Sequence, residues 1–314
     1  MRFFIIIMSA ILGVTGCASI SSPPFAALTT SVQQLRDGAD ASLSLVQDRA
    51  RDRYIAEAVA GDVTKVVALL LEPIQDDLFG WTSSDPPLFF KVARFRDGVY
   101  RLNSTLVTYA GLLGQLASPD LVSSEKFEQL AKDLNSNLKN AAEMLGVPSQ
   151  PNKEIAIFST LSTAAFQAYL KNKQRSSLLK ALNSNQPMIQ EAAELGASAV
   201  RITAIALRNE YQHASKGLAE SMTKAKLSDS EKQALLRKLI ELDERFIKEI
   251  SALRTLHQSY KALPGAHQEL ATGVADPKLG LPMIIELLEY GRQLNRLYEE
   301  MSKDDKKKAA GSKS

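Results

Sequence analysis

The sequence predicts an all-α protein that forms an elongated bundle of about six to eight helices, several of them long and amphipathic. Apolar residues recur at steps of three and four along most of the 314 residues, which is the spacing of an amphipathic helix. No segment alternates apolar and polar residues over the length of a strand. Twelve prolines divide the chain, and because proline disrupts a helix interior, we expect them to separate the helices.

The first helical pattern covers residues 25–72 and predicts one or two helices, with Gly38 and Gly61 as candidate break points. Its stripe consists of Leu28, Val32, Leu35, Ala39, Leu43, Val46, Ile55, Val59, Val63, Val66 and Leu70. Residues 88–117 and 124–146 repeat the same spacing, and each range therefore predicts one further helix.

We expect residues 152–183 and 187–225 to form the next two helices, separated at Pro187. The stripe of the second helix consists of Met188, Ala192, Leu195, Ala199, Ile202 and Ile205. Helical spacing places these residues on one face, which we expect to be buried.

The clearest predicted helix covers residues 229–263, because Ser228 and Glu231 match the S-x-x-E capping box at its start. Its stripe is the longest in the chain and consists of Leu235, Leu239, Leu242, Phe246, Ile250, Leu253, Leu256, Tyr260 and Leu263. We expect the deepest burial along this stripe, with Leu242 in its middle.

A last helix is predicted over residues 282–302. The Lys-rich tail that follows, residues 303–314, is polar and has no apolar stripe. Because such a segment has little apolar surface to bury, we expect it to be disordered.

The amino terminus has the pattern of an export signal. Arg2 is followed by residues 3–12, none of which carries a charge. This apolar run is too short to cross a membrane as a stable helix, which takes about 20 residues. A positive residue followed by a short apolar core is typical of a signal peptide.

The residues Val14, Thr15 and Gly16 lead directly into Cys17, the only cysteine of the chain. This order resembles the lipobox of bacterial lipoproteins, in which an aliphatic and a small residue precede Gly or Ala and the cysteine. The resemblance implies that residues 1–16 are removed, that the Cys17 thiol carries diacylglycerol, and that the new amino terminus is acylated. The alternative is that Cys17 is a small apolar residue buried in a helix.

The resemblance also implies an organisation and a location. Residues 17–27 would form a lipidated tether and residues 28–302 the helical bundle. In Gram-negative lipoproteins, Asp directly after the cysteine favours retention in the inner membrane, whereas this chain has Ala18. We therefore expect an outer-membrane lipoprotein that faces the periplasm, with the inner membrane or the cell surface as alternatives. A single cysteine suits an exported chain.

Composition and motifs argue against several classes of activity. The formal net charge of +3 is small and gives no reason to expect nucleic-acid binding. The sequence contains no G-x-S-x-G, P-loop or G-x-G-x-x-G motif. Glu210 and His213 form a single E-x-x-H, whereas a di-iron bundle needs two, and neither His257 nor His267 completes a second. We therefore expect no enzyme activity, no cofactor and no metal.

Two segments are candidates for contacts with a partner or a membrane. Residues 155–170 are sixteen consecutive residues without a charge, which suits either a membrane-inserting element or a helix buried within the bundle. Phe79, Trp81, Phe89 and Phe90 are concentrated between two helical patterns. They could contact a partner or a bilayer interface, where Trp is favoured, or fold back over the end of the bundle.

Together these features predict a non-enzymatic envelope lipoprotein that is held in the lipid bilayer through acylated Cys17. Its helical bundle would act as a scaffold or binding module for an envelope protein. The alternative is a membrane-active, pore-forming-like helical protein that uses residues 155–170.

Replacing Cys17 by serine should abolish lipidation and maturation, because no other residue supplies a thiol. Mass spectrometry of the protein from its native envelope should find diacylglycerol on the wild type and none on Cys17→Ser. A wild-type protein that retains residues 1–16 and an unmodified thiol would contradict the lipobox interpretation.

Overall fold

A computed structural model describes residues 23–60, 88–117, 174–224, 227–276 and 281–311, together with Ser136. This part of the chain contains five helices and no strand, so the all-α class is confirmed. The total of six to eight helices stays a prediction, because residues 61–87 and nearly all of 118–173 lie outside the described residues. The helices are α1 (Pro23–Ala60), α2 (Leu88–Ala117), α3 (Gln174–Lys224), α4 (Asp229–Ala275) and α5 (Pro282–Gly311).

The helices pack side by side as a long bundle. α3 and α4 form the most extensive antiparallel pair, α1 pairs with α2, and α5 packs against both α4 and α1. α3 has 51 residues and α4 has 47, which corresponds to about 70 to 75 Å at 1.5 Å per residue. The described part of the bundle is therefore elongated.

The core consists of two clusters that follow one another along the bundle, and all five helices contribute to both. The first core cluster surrounds the start of α1 and includes Phe25, Leu28, Leu102, Leu113, Leu182, Ile189, Leu263, Leu270 and Leu287. The second core cluster includes Leu35, Leu43, Val46, Val99, Leu207, Leu256, Tyr260 and Leu294.

Two glycines allow neighbouring helices to approach closely. A Cβ atom at Gly196 of α3 would overlap the ring of Tyr260 on α4, and one at Gly291 of α5 would overlap the side chain of Gln34 on α1. The hydroxyl of Tyr260 donates to Oδ1 of Asn103 on α2 at 2.8 Å. Tyr260 thus connects three helices in the space that Gly196 leaves open.

The two internal prolines do not end their helices, which corrects the predicted boundaries. Pro187 lies inside α3 and Pro264 lies inside α4. The side chain of Gln186 donates to the carbonyl oxygen of Pro264 at 3.0 Å, so both prolines lie near the same contact between α3 and α4. An internal proline costs about 3 kcal/mol, and the first core cluster on both sides of this contact offsets that cost.

The structure also corrects both ends of the predicted bundle. α1 begins at Pro23, and Phe25 is buried in the first core cluster, so residues 23–27 of the predicted tether belong to a helix of the bundle. α5 continues to Gly311, so most of the Lys-rich tail is helical rather than disordered. Lysine and alanine favour helix, and extending an existing helix needs no new nucleation.

Burial along α4 is shifted towards its carboxyl end relative to the prediction. The buried residues of α4 begin at Glu249 and continue to Val274. Leu242 is only half-buried, as are Leu235 and Leu239. The expectation that burial is deepest around Leu242 is therefore wrong, because the described core clusters lie against the second half of α4.

The difference in burial along α4 predicts that the same Leu→Ala truncation lowers the free energy of unfolding by different amounts at two positions. Leu256→Ala should lower the free energy of unfolding by about 2 to 5 kcal/mol, because Leu256 is only 1% exposed. Leu242→Ala should cost about 1 kcal/mol, since a half-buried leucine loses less apolar contact. Urea unfolding of the chain lacking residues 1–17 measures both. Equal losses would contradict the gradient.

Candidate functional site

The part of the structure best placed to contact another molecule is the distal hairpin, which we define as residues 201–224 of α3 and 229–248 of α4. The start of α4 is fixed locally. The Ser228 hydroxyl accepts from the Glu231 amide at 3.3 Å, and a carboxylate oxygen of Glu231 accepts from the Ser228 amide at 2.8 Å. The predicted capping box is therefore confirmed.

Buried ion pairs join the base of the hairpin to α1. The side chain of Glu249 is 2% exposed, and its Oε1 accepts from Arg49 at 2.5 Å and from Arg245 at 3.0 Å. One helical turn further along α1, Arg53 bonds Glu210 of α3 at 2.8 Å. α1 therefore contacts both arms of the hairpin through charged groups.

These ion pairs restrict how α1 and the hairpin can be arranged. Burial lowers the pKa of Arg49 below its ordinary value, and the Glu249 carboxylate opposes that shift. A buried charge that loses its partner is strongly destabilising. A slip of α1 by one turn would bring one arginine to the place of the other and leave one of the two carboxylates without its arginine from α1, so these contacts favour the observed register between α1 and the hairpin.

The two arms of the hairpin also contact each other above this base. The rings of Tyr211 and Phe246 stack at a centroid distance of 4.2 Å. The Tyr211 hydroxyl donates to Asp243 at 3.0 Å. The carboxylate as acceptor raises the pKa of Tyr211. These contacts therefore pair α3 with α4 next to the ion pairs.

The outer faces of the hairpin carry large apolar side chains that are exposed. Leu236, Ile240 and Ile247 are 50%, 50% and 57% exposed, and their spacing of four and seven residues places them on one face of α4. We call these three residues the outward stripe. On α3, Ile202 is 54% and Ile205 is 61% exposed. Grouped exposed apolar residues are typical of interaction surfaces.

A groove of about 610 Å³ lies where the hairpin meets the end of α1. Ile202, Ile205 and Ala206 give it an apolar floor, and His213 and Lys216 contribute polar groups. The lining residues are Arg53, Ile202, Ile205, Ala206, Asn209, Glu210, Gln212, His213 and Lys216. Such a groove can accept apolar side chains and pair a neighbouring carboxylate with a cation.

Glu210 and His213, which form the E-x-x-H pair, both line this groove. The Glu210 carboxylate forms an ion pair with Arg53, and the His213 side chain is exposed. Across the described ranges, no group of three or more His, Cys, Asp and Glu residues is arranged to hold a metal ion.

The aromatic residues predicted as contact sites are only partly described. Phe89 and Phe90 lie in the first turn of α2 and are half-buried. The Phe89 ring lies 4.3 Å from that of Phe90 and 5.4 Å from that of Tyr54 on α1. The Phe89 ring therefore contacts α1, and the contact role of these aromatics stays a prediction. Phe79 and Trp81 lie outside the described residues.

Two further predicted sites, Cys17 and residues 155–170, also lie outside the described residues. Within the described ranges, no helix is both long and apolar enough to cross a membrane.

The sequence reasoning missed the exposed surface for an identifiable reason. Ile202 and Ile205 continue the helical spacing of a buried stripe, so they were assigned to the core. The sequence feature that indicates the outward stripe is a second set of apolar residues on α4. Leu236, Ile240 and Ile247 lie outside its main stripe.

Comparison with known protein families, with curated proteins and with solved structures finds no match.

The buried ion pairs predict a large effect of neutralising Glu249. Glu249→Gln leaves Arg49 and Arg245 facing an uncharged group, and the free energy of unfolding should fall by about 3 kcal/mol. The matched control is Glu244→Gln on the exposed side of the same helix, which should change stability by about 0.5 kcal/mol or less. A similar small change in both variants would mean that the ion pairs do not fix the hairpin.

Proposed function

We propose that the protein is a cell-envelope lipoprotein, anchored in the outer membrane through acylated Cys17, whose elongated bundle of six to eight helices presents a docking surface to an envelope protein in the periplasm. The observation that carries the docking role is the distal hairpin, with exposed apolar side chains on both arms. Its activity is binding rather than catalysis.

The anchor and the hairpin lie at opposite ends of the bundle in this proposal. Five residues lie between Cys17 and Pro23, so the tether holds the start of α1 within about 20 Å of the bilayer. The start of α1 packs with Leu270 of α4 in the first core cluster. From Leu270 back to Asp229, α4 extends about 60 Å. With the bundle axis along the membrane normal, the hairpin projects away from the membrane.

The chemistry of the hairpin suits a protein partner. The outward stripe and the apolar floor of the groove can each bury aliphatic or aromatic side chains, and such contacts dominate the affinity of protein interfaces. Lys216 and His213 beside the groove suit an acidic residue next to the apolar anchor.

Photocrosslinking in the native envelope tests the docking surface. A photoreactive residue at Ile240 or Ile205 should form an adduct with a protein of defined mass, and the same residue at exposed Arg292 on α5 should not. Ile247→Asp should remove the Ile240 adduct, because a carboxylate opposes apolar burial, while leaving Cys17 lipidated.

Three outcomes would count against this function. Equal adducts from Ile240 and Arg292 would show that contact is not specific to the hairpin. An adduct of twice the chain mass would identify a second copy rather than another protein. Leakage of dye from vesicles on addition of the purified protein would favour the membrane-active alternative.

A further inference from the structure

A buried polar cluster joins three helices within the first core cluster. The hydroxyl of Tyr109 on α2 lies 2.7 Å from Nε2 of His267 on α4, and Oε1 of Gln186 on α3 lies 2.5 Å from Nδ1 of the same ring. The side chain of Asn185 hydrogen-bonds the Tyr109 hydroxyl. We call Tyr109, Asn185, Gln186 and His267 the His267 cluster. It has no part in the proposed docking surface.

The hydrogen bonds determine which nitrogen of His267 carries the proton. Nε2 of Gln186 donates to the Pro264 carbonyl oxygen at 3.0 Å, so the amide oxygen of Gln186 faces Nδ1 of His267 and must accept. Nδ1 therefore carries hydrogen, and Nε2 accepts from the hydroxyl of Tyr109. Burial raises the pKa of Tyr109, which keeps this hydroxyl protonated. The neutral ring is fully satisfied in this arrangement.

A second proton on His267 would disrupt the cluster. It would have to occupy Nε2, where the Tyr109 hydroxyl already points its own hydrogen. Tyr109 would have to turn that hydrogen away, although the Asn185 side chain bonds the same oxygen. A buried charge without a compensating partner is strongly unfavourable.

The surrounding helices supply no such partner within the described ranges. From α2 and α3 the imidazole faces only Tyr109, Asn185 and Gln186. On α4, the Glu269 carboxylate accepts from the first amides of α5, Met283 at 2.8 Å and Ile284 at 3.1 Å. Among the described residues of α1 and α5 that are buried, the polar ones are Ser31 and Ser42, and neither carries a charge.

We propose that the His267 cluster is an acid-sensitive latch, in which protonation of His267 separates α4 from α2 and α3 in the first core cluster while the second core cluster stays packed. The second core cluster has its own connections between α1 and α4, since Arg49 bonds Glu249 beside it. Acid thus loosens the half of the bundle next to the start of α1 and leaves the base of the distal hairpin in place.

The direction of the pH dependence follows from burial. Desolvation lowers the pKa of His267 from 6.5 to about 4, so the packed form holds the ring neutral and the opened form binds a proton more readily. The contribution of the neutral His267 cluster to the stability of the packed form is complete above about pH 6.5 and is lost as the pH falls towards 4. Between pH 7 and pH 5, the equilibrium for opening should rise about 20-fold.

Hydrogen–deuterium exchange on the full-length chain in mild detergent tests the latch, after correction for the intrinsic effect of pH on exchange. Protection in residues 178–193 and 262–274 should fall about 20-fold between pH 7 and pH 5. Protection in residues 199–210 and 252–260, which belong to the second core cluster, should fall much less, because the histidine in this range, His257, is only half-buried.

Two variants identify the titrating group. His267→Gln keeps one donor and one acceptor but takes up no proton, so its exchange should not respond to pH in this range. The matched control is His213→Gln, which removes an exposed histidine of α3 and should respond as the wild type does. An unchanged acid response in His267→Gln, or simultaneous loss of protection in both core clusters, would overturn the proposal.

A second measurement keeps the test decisive even where His267→Gln does not fold. Nuclear magnetic resonance of the wild-type imidazole should give a midpoint well below 6.5, at the lower end of the pH range over which protection is lost. A His267 ring that titrates near 6.5, or whose titration leaves protection unchanged, would contradict the latch.

Discussion

The arrangement of the molecule depends on the buried carboxylate of Glu249. It accepts from Arg49 of α1 and from Arg245 of its own helix, and it lies where the well-packed half of α4 begins. On one side of Glu249, all five described helices share the second core cluster. On the other side, α3 and α4 continue as the distal hairpin. A charge this deeply buried tolerates only one set of partners, so it fixes the hairpin to the bundle.

This fixed base explains how apolar side chains can remain exposed on the hairpin. The stacked rings of Tyr211 and Phe246 hold the two arms together from within, and the ion pair of Arg53 with Glu210 joins the α3 arm to α1. The outward stripe is therefore not needed for pairing of α3 with α4 and remains available for another molecule. In the proposed function, stability and recognition would use different faces of the same helices.

The sequence predicted the features that depend on local chemistry. The all-α class, the range 88–117 for α2 and the capping box at Ser228 follow from apolar spacing and side-chain geometry within a few residues. The same reasoning failed at Pro187 and Pro264, where contacts between distant segments outweigh the local preference of proline to end a helix.

The candidate site was harder to predict than the fold. Helical spacing identifies an apolar face, but whether that face is buried depends on how many other helices pack against it. Ile202 and Ile205 continue a stripe that is buried one or two turns earlier, yet they are exposed, because at this level the buried face of α3 carries Thr203, Leu207 and Glu210. Glu249 takes its partner Arg49 from α1, and His267 takes its partners Tyr109 and Gln186 from α2 and α3, so no local pattern identifies these contacts. The sequence feature that indicates the proposed docking surface is the set of apolar residues outside the main stripe of α4.

The central claim is that the hairpin is held at a fixed position far from the anchor. Energy transfer from a donor dye on Ser230→Cys to acceptor-labelled lipids tests it most directly in vesicles that contain the lipidated protein, in which acylated Cys17 leaves the introduced cysteine as the single thiol. We predict little transfer, because α4 places this residue about 60 Å from the end of the bundle nearest the membrane. Strong transfer, as expected for a hairpin lying on the bilayer, would contradict the account.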